Sequence, residues 1–229
     1  MQAIIELTGK PGAGKTTLAN ILGEELTPAS VLFIDASLDQ KLTLTLAPEP
    51  PQLTLGRLFG QRTEATGSRE AIDWAFHDLT VGVGEENELL TVGNLPEEIS
   101  IADKDKLRYG LNRLAKTYDY VVIDGYHPLL RQLLPEEQIR TVEIVTPQGL
   151  IDWQPPQEGE VLYTPALILN RYQDEILPAT LDNALTQRQI RLIGKVPPYA
   201  TAEDRIRRLP DDFKNCLLKL DIPMNLSSP

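Results

Sequence analysis

Residues 8–17 read Thr-Gly-Lys-Pro-Gly-Ala-Gly-Lys-Thr-Thr, directly after the apolar run Ala3-Ile4-Ile5-Glu6-Leu7. Gly9, Gly14, Lys15 and Thr16 satisfy the pattern G-x-x-x-x-G-K-[ST]. A short apolar strand precedes the pattern, and a helix-forming segment, residues 18–26, follows it. Glycine lets the backbone wrap an anion where a side chain would clash. Successive amide N–H groups and the helix start then cradle phosphate. This reading makes Gly9, Gly12, Ala13, Gly14, Lys15, Thr16 and Thr17 a nucleotide cradle. Lys15 is expected on the β- and γ-phosphates and Thr16 on Mg²⁺.

Outward from the loop, apolar strands alternate with helical patterns. Val31-Leu32-Phe33-Ile34-Asp35 and Tyr120-Val121-Val122-Ile123-Asp124 read as strands buried on both faces. Residues 89–92, 141–145, 166–169 and 191–196 are further strand candidates. Helices are expected at 53–59, at 69–79 with Ile72, Phe76 and Leu79 on one face, and around Leu107, Leu111 and Leu114. Residues 147–165 carry Trp153, Pro155 and Pro156, where a full crossover helix is hard to place. Past residue 201 a helical pattern is expected to break at Pro210. The alternation predicts an α/β fold: a single P-loop NTPase domain with a mostly parallel central sheet and helices on both faces. The domain is expected over residues 1–209, with 210–229 as a C-terminal tail packed on it or extending from it. Asp124 ends its strand as the natural acidic partner of Mg²⁺, acting through water.

The chain has 229 residues and a formal net charge of −11, which argues against a general polyanion-binding surface. Cys216 is the only cysteine and His77 and His127 the only histidines, so a thiolate cluster or a histidine-rich zinc site is not expected. No 18-residue apolar run and no positively charged leader is present, which predicts a cytoplasmic protein without a transmembrane segment.

The loop resembles that of the MinD/ParA family of P-loop ATPases, which usually reads GKGGxGKT. By that resemblance Lys10 is the signature lysine, which looks across a nucleotide-sandwiched dimer to the partner's phosphates. Pro11 departs from the usual glycine and removes one loop amide. The segment YDYVVIDGYHP resembles the family's DYVVIDTPP-type strand, which gives Asp124 the Mg²⁺ role. IDASLDQ resembles IDxDPQ. There the first Asp, here Asp35, helps organise the Mg²⁺ shell, and the second positions the attacking water. Ser37 stands where that second Asp belongs, and a hydroxyl supplies no such charge. Asp39, two residues on, is the substitute candidate. Residues 89–98, LLTVGNLPEE, resemble the family's LLPAGxLP stretch. Leu167-Ile168-Leu169-Asn170-Arg171 resembles the VLNR stretch whose asparagine meets adenine, and an amide carries the donor and acceptor a base edge needs. Pro197-Pro198-Tyr199 resembles the segment beside the base.

The resemblance implies an ATP- and Mg²⁺-dependent homodimer, slow in hydrolysis, that works in positioning, partition or assembly with a protein partner or cargo. Lys10, Lys15 and Asp39 are its catalytic candidates, and Thr16, Asp35 and Asp124 its metal candidates. The paired-cysteine motif of the carbon monoxide dehydrogenase maturation ATPases has no counterpart here. The C-terminal segment is mixed in charge rather than basic and amphipathic, which disfavours membrane attachment. Arg188, Arg191 and Lys195, with Arg205, Arg207 and Arg208, mark where a DNA-binding face would lie; the acidic balance of the chain disfavours it. Two alternatives stay open: a small-molecule P-loop kinase with Arg57, Arg62 or Arg69 on a lid, and a nucleotide-gated binding protein without turnover.

Overall fold

A computed structural model of the chain describes residues 3–47, 49, 51–60, 69–96, 98–151, 166–172 and 191–220. The described elements run β1 (Ala3–Thr8), α1 (Lys15–Glu25), β2 (Val31–Asp35), α2 (Lys41–Leu46), α3 (Leu55–Gly60), α4 (Arg69–His77), β3 (Thr80–Gly82), β4 (Glu88–Thr91), α5 (Ile101–Ala115), β5 (Tyr120–Asp124), α6 (Pro128–Leu133), β6 (Ile139–Val145), α7 (Pro147–Ile151), β7 (Ala166–Asn170), β8 (Arg191–Val196) and α8 (Ala202–Leu217). The strands form one sheet in the order β3-β4-β2-β5-β1-β6-β7-β8. Among the described residues only β3 pairs antiparallel, with β4, and the other pairings are parallel.

The uniformly apolar strands lie at the centre because helices cover both faces. β2 and β5 are buried at every position. Two apolar clusters form, one per face. One gathers Leu18 and Leu22 of α1 with Phe213 and Leu217 of α8. The other gathers Phe76 of α4, Leu107 and Leu111 of α5 and Leu129 of α6. Strand register then sets the chemistry. Asp124 pairs with Leu7 on one side and with Asp35 on the other. Both carboxylates therefore stand at the carboxyl ends of their strands, beside the loop that leaves β1. Ligands of open α/β sheets bind at such ends.

The sequence pattern did not reveal β3. It is three residues long with one apolar side chain, too short for a period, and it is held by a hairpin closed by Val83 N–H donating to Asn87 O at 2.9 Å. The expected break at Pro210 is corrected: α8 runs through it. Leu209, Phe213, Cys216 and Leu217 form a stripe buried in the core, and that burial outweighs the amide lost at proline. The helix thereby continues across the 209/210 division. Of the 147–165 segment, residues 147–151 form α7, with proline at the helix start where its missing N–H costs least. Residues 152–165 lie outside the described residues, as do Arg62 and Arg188. Among the described residues no helix is long and apolar enough to cross a membrane.

Candidate functional site

The loop between β1 and α1 turns on glycines in the left-handed region. Gly9 has φ 133°, and a Cβ there would run into the Ile144 carbonyl of β6. Gly14 has φ 100°, and a Cβ there would sit 2.5 Å from Asn170 Nδ2. Neither position admits a side chain. The loop is closed by Ala13 N–H donating to Lys10 O at 3.2 Å. Lys15 folds back along it and donates to Gly9 O at 2.7 Å and Lys10 O at 3.1 Å. Burial pushes the Lys15 ammonium below its ordinary value, against the pull of Asp124 and Asp39.

A cleft of ≈ 580 Å³ opens over this loop. Gly9, Gly12, Gly14, Lys15, Thr16, Thr17, Asp39 and Asp124 line it together. Lys10 is exposed and is not among the residues lining the cleft. Ala13 is buried beneath it.

Thr16 and Asp124, 108 positions apart, meet at the cleft floor, where Thr16 Oγ1 donates to Asp124 Oδ2 at 2.6 Å. Asp124 is fully buried, and its Oδ1 has no hydrogen-bond partner among the described residues. Burial pushes the Asp124 carboxyl up, the Thr16 hydroxyl pulls it down, and the Asp35 charge adds to the rise. A buried carboxylate oxygen left without a donor is costly. A hard cation or its water shell satisfies such an oxygen, and Mg²⁺ takes few protein ligands and keeps several waters. The Thr16–Asp124 pair fits that requirement.

Asp35 stands beside this floor, at the end of β2. It is fully buried, and both oxygens are taken by protein donors. Oδ1 accepts from Ser37 N–H at 3.1 Å and Ser37 Oγ at 2.5 Å; Oδ2 accepts from Thr43 N–H at 2.8 Å and Thr43 Oγ1 at 2.7 Å. Four protein donors thus satisfy the buried carboxylate. Asp35 anchors the segment that carries Ser37 and Asp39. Asp39 is exposed and pairs with Lys41 at 2.7 Å, which holds its carboxyl below the ordinary value.

Beside the cleft lies a smaller pocket of ≈ 230 Å³, lined by Gly14, Thr17, Asn170, Pro197, Pro198, Tyr199 and Arg205 among others. Asn170 ends β7 and donates through Nδ2 to Ala13 O at 2.6 Å. One N–H of its amide is thus committed to the loop. Sequence reading missed three cations here. Arg171 lines both cleft and pocket, Lys41 lines the cleft, and Arg205 of α8 donates to Thr17 Oγ1 at 3.2 Å. Arg171 closes the LILNR stretch and Arg205 stood only in the basic patch, neither with a role at the nucleotide, and Lys41 belongs to no motif. Of the basic patch, Arg207 pairs with Asp204 and Arg208 lies over the Tyr199 ring.

No protein-family model and no curated protein matches the chain. Solved structures do match it. A chain of the MinC:MinD cell division protein complex of Aquifex aeolicus superposes with a TM-score of 0.65 at 17% identity, covering 99% of this chain and 98% of that one. The cell division ATPase MinD of Pyrococcus furiosus superposes with a TM-score of 0.60 at 19% identity, covering 96% and 99%. A putative plasmid partition protein of Borrelia burgdorferi bound to AMPPNP gives 0.61 at 18% identity, covering 94% and 96%.

Proposed function

We propose that this chain, which has the MinD/ParA-type P-loop fold, is an ATP-controlled dimerising switch with slow turnover. Mg·ATP binds over the 9–17 loop, two copies pair while it is bound, and hydrolysis separates them. The single observation carrying this reading is the assembled cleft, where Lys15, Thr16 and Asp124 converge on one floor around a buried carboxylate oxygen that lacks a donor.

Roles follow from position. The amides of Gly12, Ala13, Gly14, Lys15, Thr16 and Thr17 face the phosphates, with Lys15 on the β- and γ-oxygens. Thr16 and Asp124 would hold Mg²⁺, which would supply positive charge beside the phosphates. Asn170 meets the base in the adjoining pocket. Asp35 acts through the segment it anchors. Asp39 is the carboxylate available to orient the attacking water.

The pairing of two copies is supported by the face around the cleft. Lys10 and Pro11 are exposed there, and two large apolar side chains on the rim, Leu38 and Tyr126, are 88% and 53% exposed. Exposed apolar side chains grouped beside a polar cleft suit a protein interface. Lys10, exposed on the loop, has the reach and compact charge to meet another copy's phosphate. The biological setting we infer is positioning, partition or assembly with a protein partner.

A second reading, nucleotide-gated binding without turnover, is favoured by one observation. Asp39, the candidate water-orienting group, is paired with Lys41, and Ser37, at the position of the family's second Asp, donates to Asp35.

Sedimentation velocity at tens of micromolar protein tests the switch. Wild type is expected to be monomeric with ADP and dimeric with Mg·AMPPNP, and Lys10→Ala monomeric with both. A wild type monomeric throughout rules the switch out.

A further inference from the structure

Lys41 belongs to no nucleotide motif, yet it lines the cleft with Lys15, Thr16 and Asp124. Its ammonium pairs with Asp39 at 2.7 Å, with both side chains more than half exposed. The two residues ride on a hoop fastened at each end to one buried anchor, Asp35, through Ser37 and Thr43. Between them Gln40 takes the left-handed conformation, φ 49°, which is uncommon for a residue with a Cβ. That turn starts α2 at Lys41 and keeps the ion pair over the cleft.

Electrostatics tie Lys41 to the phosphate floor. Asp39 first, and Asp124 at longer range, lift its ammonium above the ordinary value, and Lys41 in turn acts on Lys15. The cleft has a use for another cation. Proline at 11 removes one loop amide, and Lys10 is not on the cleft wall. An exposed ion pair is weak and readily exchanged. A terminal phosphate, with more charge than a carboxylate, competes for the ammonium; a diphosphate places no charge there.

We propose that Lys41 reads the γ-phosphate within its own subunit, leaving Asp39 for a terminal phosphate oxygen when a triphosphate binds and staying on Asp39 when a diphosphate binds. The exchange releases the Asp39 carboxylate over the cleft at the moment the triphosphate arrives. This inference rests on the ATP reading above and adds to it the group that distinguishes ATP from ADP.

Titration calorimetry with Mg·AMPPNP and Mg·ADP tests it on wild type, Lys41→Gln, Lys41→Arg and Lys116→Gln. Lys116 is an exposed control after α5, at the opposite end of the sheet. One surface charge near a phosphate acts between the bulk-water and protein-surface limits, so Lys41→Gln is expected to lose roughly five- to tenfold in AMPPNP affinity and less than about twofold in ADP affinity. Lys41→Arg restores most of the loss, and Lys116→Gln changes neither value. Hydrogen exchange supplies a second readout: AMPPNP slows exchange over residues 37–43 in wild type and not in Lys41→Gln. Equal loss for both nucleotides, or loss for neither, overturns the Lys41 assignment and leaves the ATP reading standing. A wild type that binds neither nucleotide overturns both.

Discussion

Replacing Ser37 by aspartate separates two explanations of the same position. If the chain merely lacks a water-orienting carboxylate there, Ser37→Asp restores one and turnover rises. The contacts point the other way. Ser37 Oγ donates to Asp35 Oδ1 at 2.5 Å, and its N–H donates to the same oxygen at 3.1 Å. Asp35 is fully buried, so the hydroxyl is one of four donors that hold a buried negative charge. Ser37→Asp removes that donor and brings a second negative charge towards it. Loss of a hydrogen bond to a charged group costs about 1.5–3 kcal/mol. Two unit charges about 4 Å apart repel by about 4 kcal/mol at an effective dielectric of about 20, an upper bound that outward rotation reduces. A net loss of about 2–4 kcal/mol is expected. Ser37→Ala removes the donor without adding charge and is expected to lose about 1.5–3 kcal/mol. Urea unfolding followed by circular dichroism reads the stability, and single-turnover phosphate release at saturating Mg·ATP reads the chemistry. The expected result is lower stability for both variants, Ser37→Asp the lower, with no gain in phosphate release. A Ser37→Asp variant as stable as wild type and faster in release would refute this reasoning.

Arg131 of α6 forms a buried ion pair with Glu6 of β1, and Thr141 Oγ1 also donates to that carboxylate at 2.7 Å. Arg131→Met strands the Glu6 charge and is expected to cost about 3–5 kcal/mol at neutral pH. Burial already pushes the Glu6 carboxyl up, so above its unfolded value the folded state holds the proton more tightly and stability falls as pH rises through that window. Urea midpoints are therefore expected to show a smaller Arg131→Met penalty at pH 5 than at pH 8, and a pH-independent penalty would contradict the assignment. At β8, a Cβ on Gly194 would collide with Cys216 of α8. Gly194→Ala is expected to lose about 1–3 kcal/mol by overpacking, and Cys216→Ala in the same chain to recover part of it, measured as a double-mutant cycle in urea. Burial raises the Cys216 thiol to about 11, so its reaction with a disulfide reagent at pH 8 is expected to be slow when folded and fast in urea.

The parts of the fold that sequence made legible are those written in period and motif. Tyr120-Val121-Val122-Ile123-Asp124 could only be an interior strand, and the glycines of the loop at 8–17 announced the turn between β1 and α1. β3 was hidden because three residues carry no period. α8 was misread at Pro210 because a local rule against proline was weighed without the buried stripe that overrides it. At the site, Thr16 and Asp124 were placed together by motif spacing. Asp35 was not read as saturated, because its donors come from Ser37 and from Thr43, eight residues on, and only the folded hoop brings the second into reach. Lys41 and Arg205 carry no nucleotide signature, Arg171 was quoted only as the end of the LILNR stretch, and surface cations acquire meaning from the cavity they line.

Binding of Mg·ATP over residues 9–17 is the claim on which every later step depends, and titration calorimetry of wild type against Lys15→Ala measures it directly. Lys15 is the cation held nearest the loop carbonyls, donating to Gly9 O and Lys10 O. A charge-assisted phosphate contact is worth about 1.5–3 kcal/mol, so Lys15→Ala is expected to bind ATP roughly ten- to a hundredfold more weakly. Omitting Mg²⁺ is expected to weaken wild type as well, because the Asp124 oxygen then regains no partner. Equal ATP affinity for wild type and Lys15→Ala, with or without Mg²⁺, would contradict the assignment.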